Sequence, residues 1–356
     1  MVLTGVGIGG VAWYFSPQAL QLAPDHPTYS LRVLALRGNT VEVTRTDDTM
    51  RPGTYSLQWP AGGRATLGAI LSSNQKGVVR RLTGNTQGLK AGTQVHFDLF
   101  VYGSPAALHL SYRSINVPDP LGPMPAWYVP GRSSTWVVLV HGRGMSRTEG
   151  MRPLRTLAGL GLPVLDLSYR NDVGAPASSD HRYHLGATEW QDVQAGARYA
   201  LAHGARRIVL YGYSMGGSLI ESFLHHSPQA GRVRAAVLDA PALNWNAVFD
   251  FRANQLGVPG PITALAKRVV AWRLGLQSLD DVNHVRPGAD FKVPTLLFQG
   301  TGDTSVPFAA NAALARARPD LVTYVQVAGA EHTQAWNANP VAYTARLKAF
   351  LTRVLR

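Results

Sequence analysis

Residues 207–217 read RIVLYGYSMGG, an apolar run followed at once by a serine between glycines. The run predicts a buried strand, and G-x-S-x-G is the pattern in which a serine sits on a sharp turn from a strand into a helix. Gly212 and Gly216 suit that turn, because larger side chains there would collide as the chain folds back. The motif alone leaves two interpretations of Ser214 open, a nucleophile or an ordinary turn residue.

Short apolar runs alternate with helix-period stretches from Ala126 onward, which is typical of a doubly wound α/β sheet. The runs that predict parallel strands are WVVLV (136–140), LPVLDLSY (162–169), RIVLYG (207–212), RAAVLDA (234–240), PTLLFQG (294–300) and VTYVQV (322–327). We therefore predict one α/β domain over residues 126–356.

One insertion interrupts this alternation. About fifty residues separate Asp239 from Phe291, more than a crossover helix requires. Helical periodicity within them predicts a cap over about residues 243–290, and two extra helices packed on the sheet are the alternative. The aromatic residues of the insertion are candidates for a substrate pocket, although such residues are more often core: Trp245, Phe249, Phe251 and Trp272.

The first third of the chain has a different pattern. Residues 28–117 show period-two alternation broken by Gly, Pro and Asn about every ten residues, which predicts a small β-rich domain without a catalytic motif. The segment PDPLGPMP, 118–125, is predicted to be a linker.

Residues 1–24 form an apolar N-terminal segment without a charged side chain. The stretch VLTGVGIGGVAWYF is a candidate membrane anchor, but glycines dilute it and no basic residue precedes it. An apolar tail packed on the protein is the alternative. The sequence leaves a membrane-associated, an exported and a cytoplasmic location open.

The composition excludes several classes of protein. The chain has 356 residues, of which 46% are apolar and 15% charged, as expected of a folded protein with a large core. It has no cysteine, which excludes disulfides, thiolate metal sites and cysteine nucleophiles. The net charge of +13 would attract polyanions, yet the basic residues are scattered, so we expect no nucleic-acid partner.

Candidate partners for Ser214 follow two later strands. Asp303 lies in GTGDTSVP after the run 294–300, and His332 lies in VAGAEHTQAW after the run 322–327. The carboxyl ends of parallel strands meet at one edge of a sheet. A nucleophilic serine needs a base, and the base needs a group that fixes its tautomer. The chain order predicts Ser214 as the nucleophile, Asp303 as the acid and His332 as the base.

The developing negative charge on a substrate oxygen needs backbone N–H donors. The sequence HGRG, 141–144, follows the strand predicted at 136–140. We predict an oxyanion hole made by the N–H groups of Met215 and Arg143.

The four motifs resemble those of the α/β-hydrolase family, in particular of bacterial serine hydrolases similar to dienelactone-hydrolase and peptidase members. VVLVHGRG, YGYSMGG, LFQGTGDTSVP and GAEHTQAW stand in the family's order. The resemblance implies the α/β-hydrolase fold and an acyl-enzyme mechanism carried by Ser214, His332 and Asp303. It also implies that His141 supports its turn rather than transferring protons.

Other residues compete for these roles. Asp239 occupies the place where some members of the family carry the acid, but the G-x-x-D-x-x-V-P context favours Asp303. Glu331 is interpreted as a loop residue, and His225 and His226 are interpreted as residues of a solvated helix rather than as metal ligands. We therefore expect neither a metal nor an organic cofactor.

The expected function is that of a serine hydrolase acting on a small acyl compound, a carboxylic esterase first of all. A peptidase or amidase and a thioesterase are alternatives, since the motifs do not distinguish esters from amides. The β-rich region is too short for the propeller of prolyl-oligopeptidase relatives. A membrane-associated binding protein with a vestigial triad is the alternative from another class.

Overall fold

The computed structural model describes residues 28–283 and 291–356, and in these residues the strands form two sheets. The first is a closed barrel with strand order β1-β2-β5-β4-β3-β6. Its strands are β1 Leu31–Arg37, β2 Thr40–Thr44, β3 Tyr55–Trp59, β4 Gly63–Ser73, β5 Gly77–Thr83 and β6 Gln94–Asp98. Alternate side chains such as Val41, Leu57 and Val95 fill the barrel, as the period-two pattern predicts.

The second sheet has eight strands in the described part of the chain, in the order β14-β13-β12-β11-β9-β10-β8-β7. Its strands are β7 Arg113–Val117, β8 Met124–Val129, β9 Thr135–Val140, β10 Val164–Leu167, β11 Arg207–Tyr213, β12 Val233–Asp239, β13 Thr295–Gly300 and β14 Val322–Val327. Strands β9 to β14 pair in parallel, whereas β8 runs antiparallel to both β7 and β10.

Helices cover both faces of this sheet. They are α1 Met151–Gly159, α2 Trp190–Ala202, α3 Met215–His226, α4 Trp245–Gln255, α5 Gly260–Arg273, α6 Phe308–Ala317, α7 Ala335–Ala338 and α8 Pro340–Val354. Val138 and Val140 of β9 pack in one core with residues of α2, α3 and α6. Val137 and Leu139 pack in the other with residues of α1 and α8. The predicted α/β-hydrolase fold with an N-terminal all-β domain is thereby confirmed.

The predicted border between the two regions differs from the structure. Residues 113–117, assigned from the sequence to the β-rich domain, form β7 of the large sheet. Residues 118–125, predicted to be a linker, are mostly the turn of a β7–β8 hairpin in which Val117 pairs with Met124. The Pro, Gly and Asp residues of this segment make a tight turn, and in sequence a tight turn resembles a linker.

The inserted segment forms α4, α5 and a short 3₁₀ helix, Leu279–Val282. It reaches the carboxyl ends of the parallel strands, where Gln255 Nε2 donates to Thr304 O at 2.9 Å. The rest of the predicted cap, residues 284–290, and the predicted N-terminal segment, residues 1–24, lie outside the described residues. Among the residues that are described, no helix combines the length and apolarity that a membrane span requires.

Candidate active site

Ser214 occupies the turn between β11 and α3 with φ +47°, in the left-handed region that non-glycine residues rarely adopt. The flanking glycines permit this turn. A Cβ atom on Gly212 would lie 2.6 Å from the Ile220 Cδ1 atom, and one on Gly216 would lie 2.4 Å from the Val140 carbonyl oxygen. Ser214 is partly exposed between buried neighbours, so its hydroxyl is accessible at the carboxyl edge of the sheet.

His332 lies between Ser214 and Asp303. Its Nε2 atom is 2.8 Å from the Ser214 Oγ atom, and its Nδ1 atom is 2.9 Å from the Asp303 Oδ2 atom. The carboxylate holds the proton on Nδ1, which leaves the Nε2 lone pair to accept a proton from the hydroxyl. The three side chains predicted to act together are thus joined by two hydrogen bonds, although they follow three different strands.

Asp303 is buried, and both of its carboxylate oxygens accept hydrogen bonds. Oδ1 accepts from the Ser305 and Val306 N–H groups at 2.8 Å, and Oδ2 also accepts from Gln299 Nε2 at 2.9 Å. These donors orient the carboxylate toward the imidazole and compensate for its lost water.

The imidazole of His332 is more basic than an ordinary histidine. Burial alone would lower its pKa, but the hydrogen bond and the charge of Asp303 outweigh burial and raise the pKa above 6.5. More distant carboxylates at Glu149 and Asp239 act in the same direction. A base of raised pKa holds a transferred proton more firmly while a reaction proceeds.

The loop 141–144 after β9 lies directly against the serine, since a Cβ atom on Gly142 would be 3.1 Å from the Ser214 Cβ atom. Met215 begins α3, where N–H groups of the first turn have no partner within the helix. The loop and the helix start that carry the two predicted oxyanion donors therefore adjoin Ser214.

Three side chains that surround the loop fix its path. His141 pairs with Asp172 at 2.7 Å, and the Tyr169 hydroxyl donates to Gly142 O at 2.9 Å. The Gly144 N–H donates to the Tyr183 hydroxyl at 3.1 Å. Burial opposes a charge on His141, yet the Asp172 carboxylate raises its pKa to about 9, so His141 is a cation bound within the turn.

A buried ion pair connects this loop with the histidine. Glu149 Oε2 accepts from the Gly142 N–H at 2.8 Å, and Glu149 Oε1 accepts from Arg152 Nη2 at 3.1 Å. Arg152 Nη1 donates to the Thr333 carbonyl next to His332 and, at 2.9 Å, to Asn337 Oδ1. No local motif in the sequence marks Glu149 or Arg152, and the Thr333 and Asn337 partners of Arg152 lie more than 180 residues away in the chain.

Thr333, directly after His332, has φ +53°. For a β-branched residue this conformation is strained by about 1–3 kcal/mol and persists only where the surroundings enforce it. The hydrogen bond from Arg152 to the Thr333 carbonyl is one such constraint.

The competing carboxylates have other partners. Asp239 is fully buried and accepts from the Tyr343 hydroxyl at 3.0 Å rather than from His332. Glu331 Oε1 accepts from the Thr304 and His332 N–H groups at 2.6 and 3.0 Å. It thereby connects the loop that carries Asp303 with the loop that carries His332.

The Asp192 carboxylate is buried and accepts from Arg170 Nη2 at 2.6 Å and from Arg170 Nε at 2.9 Å. Two of the aromatic residues considered for a substrate pocket differ in exposure. Trp245 is a buried cap residue whose indole donates to Leu185 O, whereas the Trp272 side chain is 68% exposed. In residues 28–283 and 291–356 no three His, Asp or Glu side chains group as metal ligands would.

A cavity of about 370 Å³ is lined in part by Arg152. Its lining includes Tyr102, Arg155, Trp336 and Lys348, and none of Ser214, Asp303 and His332. It is therefore not the space in which a substrate of Ser214 would lie.

The sequence matches the model of the prolyl oligopeptidase family over residues 156–356, more than half of the chain. The chain belongs to the prolyl oligopeptidase family. As a member of that family it is a serine hydrolase, and Ser214, Asp303 and His332 all lie in the matched region. Residues 32–98 match a domain of unknown function, DUF8805, and these bounds follow the barrel closely.

Solved structures with this fold include esterases. The chain is similar to the esterase Pf2001 from Pyrococcus furiosus, with a TM-score of 0.55 and 19% identity over 72% of this chain and 97% of that one. It is also similar to Est1E from Butyrivibrio proteoclasticus, solved with ferulic acid bound, with a TM-score of 0.52 and 14% identity over 68% and 99% of the two chains. No curated protein matches the sequence of this chain.

Proposed function

We propose that this serine hydrolase is a carboxylic ester hydrolase in which Ser214 is the nucleophile, His332 the general base and Asp303 the acid that orients the histidine. The observation that carries the proposal is the chain of hydrogen bonds from Ser214 Oγ through both nitrogens of His332 to Asp303. A serine hydroxyl is a weak nucleophile until such a base accepts its proton.

The reaction proceeds in two halves. Ser214 Oγ attacks the carbonyl carbon of the ester while its proton passes to His332 Nε2, and His332 then gives that proton to the departing alkoxide. Water attacks the acyl-enzyme in the second half, with His332 again accepting and returning a proton. The N–H groups of Met215 and Arg143 stabilise the oxyanion, and losing one would cost about 100-fold in rate.

The similarity in fold to two esterases favours an ester substrate. The family name instead favours a peptide substrate, which makes a serine peptidase the second candidate. The β-region of this chain is a barrel of short strands at residues 31–98. The chemistry of the triad serves both substrates, so measured turnover of esters and of amides decides between an esterase and a peptidase.

The test is hydrolysis of p-nitrophenyl esters of increasing acyl length, beside aminoacyl p-nitroanilides and with Ser214→Ala as the control. We expect ester turnover with a maximum at one acyl length and a fall of at least about 10⁴-fold in Ser214→Ala. Circular dichroism of Ser214→Ala should match the parent, because the replacement removes only the hydroxyl oxygen.

Each other outcome has a defined meaning. Turnover of anilides without turnover of esters would replace the esterase by a peptidase. Equal ester turnover by the parent and by folded Ser214→Ala would refute the role of Ser214. A parent that neither hydrolyses these compounds nor reacts with a fluorophosphonate would refute the enzyme proposal altogether.

A further inference from the structure

The barrel contacts the part of the chain that carries His332. We call residues 331–337 the histidine segment. The Asn337 side chain is fully buried, and its Nδ2 atom donates to the Thr54 and Leu99 carbonyls, each at 2.8 Å. These carbonyls lie at adjacent ends of the paired strands β3 and β6. The Thr54 N–H donates in turn to the Asn337 carbonyl at 2.8 Å.

Two further contacts join the same parts. The Tyr55 hydroxyl donates to Gln334 Oε1 at 3.1 Å, and Arg51 lies 3.8 Å from Glu331 Oε2. Tyr55 is 2% exposed, so its hydrogen bond is shielded from water. The barrel thus contacts the histidine segment on both sides of His332 in sequence.

The orientation of the Asn337 amide follows from its neighbours. Its two N–H groups face two carbonyl oxygens of the barrel, and its oxygen faces the Arg152 guanidinium. The reverse orientation would leave donors facing donors and acceptors facing acceptors. Asn337 therefore joins the barrel to Arg152, which also binds the Thr333 carbonyl and, through Glu149, the oxyanion loop.

The approach is closest at Gly53. A Cβ atom on this residue would lie 2.2 Å from the Asn337 carbonyl oxygen, and φ is +121°. The opposing atom belongs to the backbone, so a side chain at residue 53 could be accommodated only if the barrel or the histidine segment moved.

We propose that the barrel is a positioning domain for the catalytic centre: by holding Asn337 and Gln334 it fixes the histidine segment, so that His332 stays within reach of Ser214. The inference rests on the proposed roles of Ser214 and His332. Thr333 in its strained conformation would relax without its constraints, and relaxation would carry the adjacent imidazole away from the serine. The barrel residues that act here, Gly53, Thr54 and Tyr55, are positioning residues and need touch no substrate.

Gly53→Ala tests the proposal in the full chain, with Gly38→Ala as the matched control. Gly38 is also a barrel glycine with positive φ, +54°, but a Cβ atom there would meet no atom within 4 Å. We measure the second-order rate of Ser214 labelling by a small fluorophosphonate, together with kcat and KM on the best p-nitrophenyl ester. We expect Gly53→Ala to lose about 10- to 100-fold in labelling rate and in kcat, with KM nearly unchanged. Gly38→Ala should retain the parent values.

Tyr55→Phe is the second variant, for the case that Gly53→Ala does not fold. It removes one hydroxyl and its hydrogen bond to Gln334, and we expect labelling to slow by about threefold to tenfold. The positioning role would be overturned if folded Gly53→Ala were labelled at the parent rate. If Gly53→Ala does not fold, labelling of Tyr55→Phe at the parent rate would overturn it instead. A parent that the fluorophosphonate does not label would instead overturn the proposed function itself.

Discussion

Asp303 and Asp239 are carboxylates at the same edge of the sheet, and their environments differ sharply. Asp303 accepts hydrogen bonds from His332 and from three further donors. Asp239, at the end of the adjacent strand β12, accepts from the Tyr343 hydroxyl. Burial raises the pKa of Asp239 to about 7, although Arg152 and Tyr343 oppose that shift. Near neutral pH Asp239 is therefore partly protonated, which suits a structural hydrogen bond better than support of an imidazolium.

Asp303→Asn should lower kcat on the best ester by on the order of 10⁴-fold, because the amide can fix the wrong tautomer of His332 and cannot stabilise its charge. The pH dependence should shift as well. His332 must be neutral to act as the base, so activity falls as pH drops through its pKa, which lies above 6.5 in the parent. The charge of Asp303 raises that pKa, so the acid limb of kcat/KM should move to lower pH in Asp303→Asn.

Asp239→Asn is the matched control for that measurement. It removes a carboxylate at the same edge but leaves the bond between Asp303 and His332 intact, and it should lose at most about tenfold in kcat. A larger loss in Asp239→Asn than in Asp303→Asn would assign the role of the acid to Asp239.

Single residues were predictable where a local pattern marks them. Ser214, Asp303 and His332 each stand in a short motif after an apolar strand, and parallel strands deliver such residues to one edge. Arg152 and Asn337 could not be found in this way. They lie 185 residues apart in the chain, and only the folded chain brings them together.

At the scale of one element, α3 contains a buried carboxyl without a hydrogen-bond partner. The Glu221 side chain is 1% exposed, and neither of its oxygens is paired in the described structure. Burial raises its pKa from 4.5 to about 8, with Lys292 acting weakly in the opposite direction. The folded protein thus keeps Glu221 protonated near neutrality.

This burial should make stability depend on pH. The unfolded chain releases the Glu221 proton near pH 4.5 and the folded chain only near pH 8, so stability falls between these values as pH rises. The total loss is on the order of a few kcal/mol. In urea unfolding at pH 5, 6.5 and 8, the free energy of unfolding of Glu221→Gln should increase relative to that of the parent as pH rises.

Asp47→Asn is the control for this series, because Asp47 is an exposed carboxylate. It measures how far the loss of one negative charge at the surface alters the unfolding free energy at each pH. A difference between Glu221→Gln and the parent that stays constant with pH would mean that Glu221 is ionised in the folded protein.

Elements were predictable where their residues are buried on both faces. The parallel strands β9 to β13 are apolar runs in sequence and lie within one or two residues of the predicted bounds. Strand β8 was missed, because its antiparallel neighbours leave its residues unevenly buried and the turn before it dominates the composition.

At the scale of the whole molecule, the barrel and the α/β domain share buried polar contacts. Asn337 and Arg152 are nearly inaccessible to water, and the Arg152 guanidinium also lies 5.7 Å from the Phe100 ring centroid. Separation of the barrel would break the hydrogen bonds of Asn337 to Thr54 and Leu99. It would also expose surface next to the buried ion pair of Glu149 and Arg152. Leaving a buried charge without some of its partners costs free energy.

We therefore expect the two domains to unfold together. Differential scanning calorimetry of the parent should give one transition in which the calorimetric and van't Hoff enthalpies agree. Gly38→Ala strains only the barrel and should lower the midpoint of that transition by about 2–4 °C. Gly53→Ala forces the backbones at residues 53 and 337 apart, so it should divide the transition into two. Two transitions in the parent would show that the interface does not couple the domains, and one transition in Gly53→Ala would show that the coupling does not pass through Asn337.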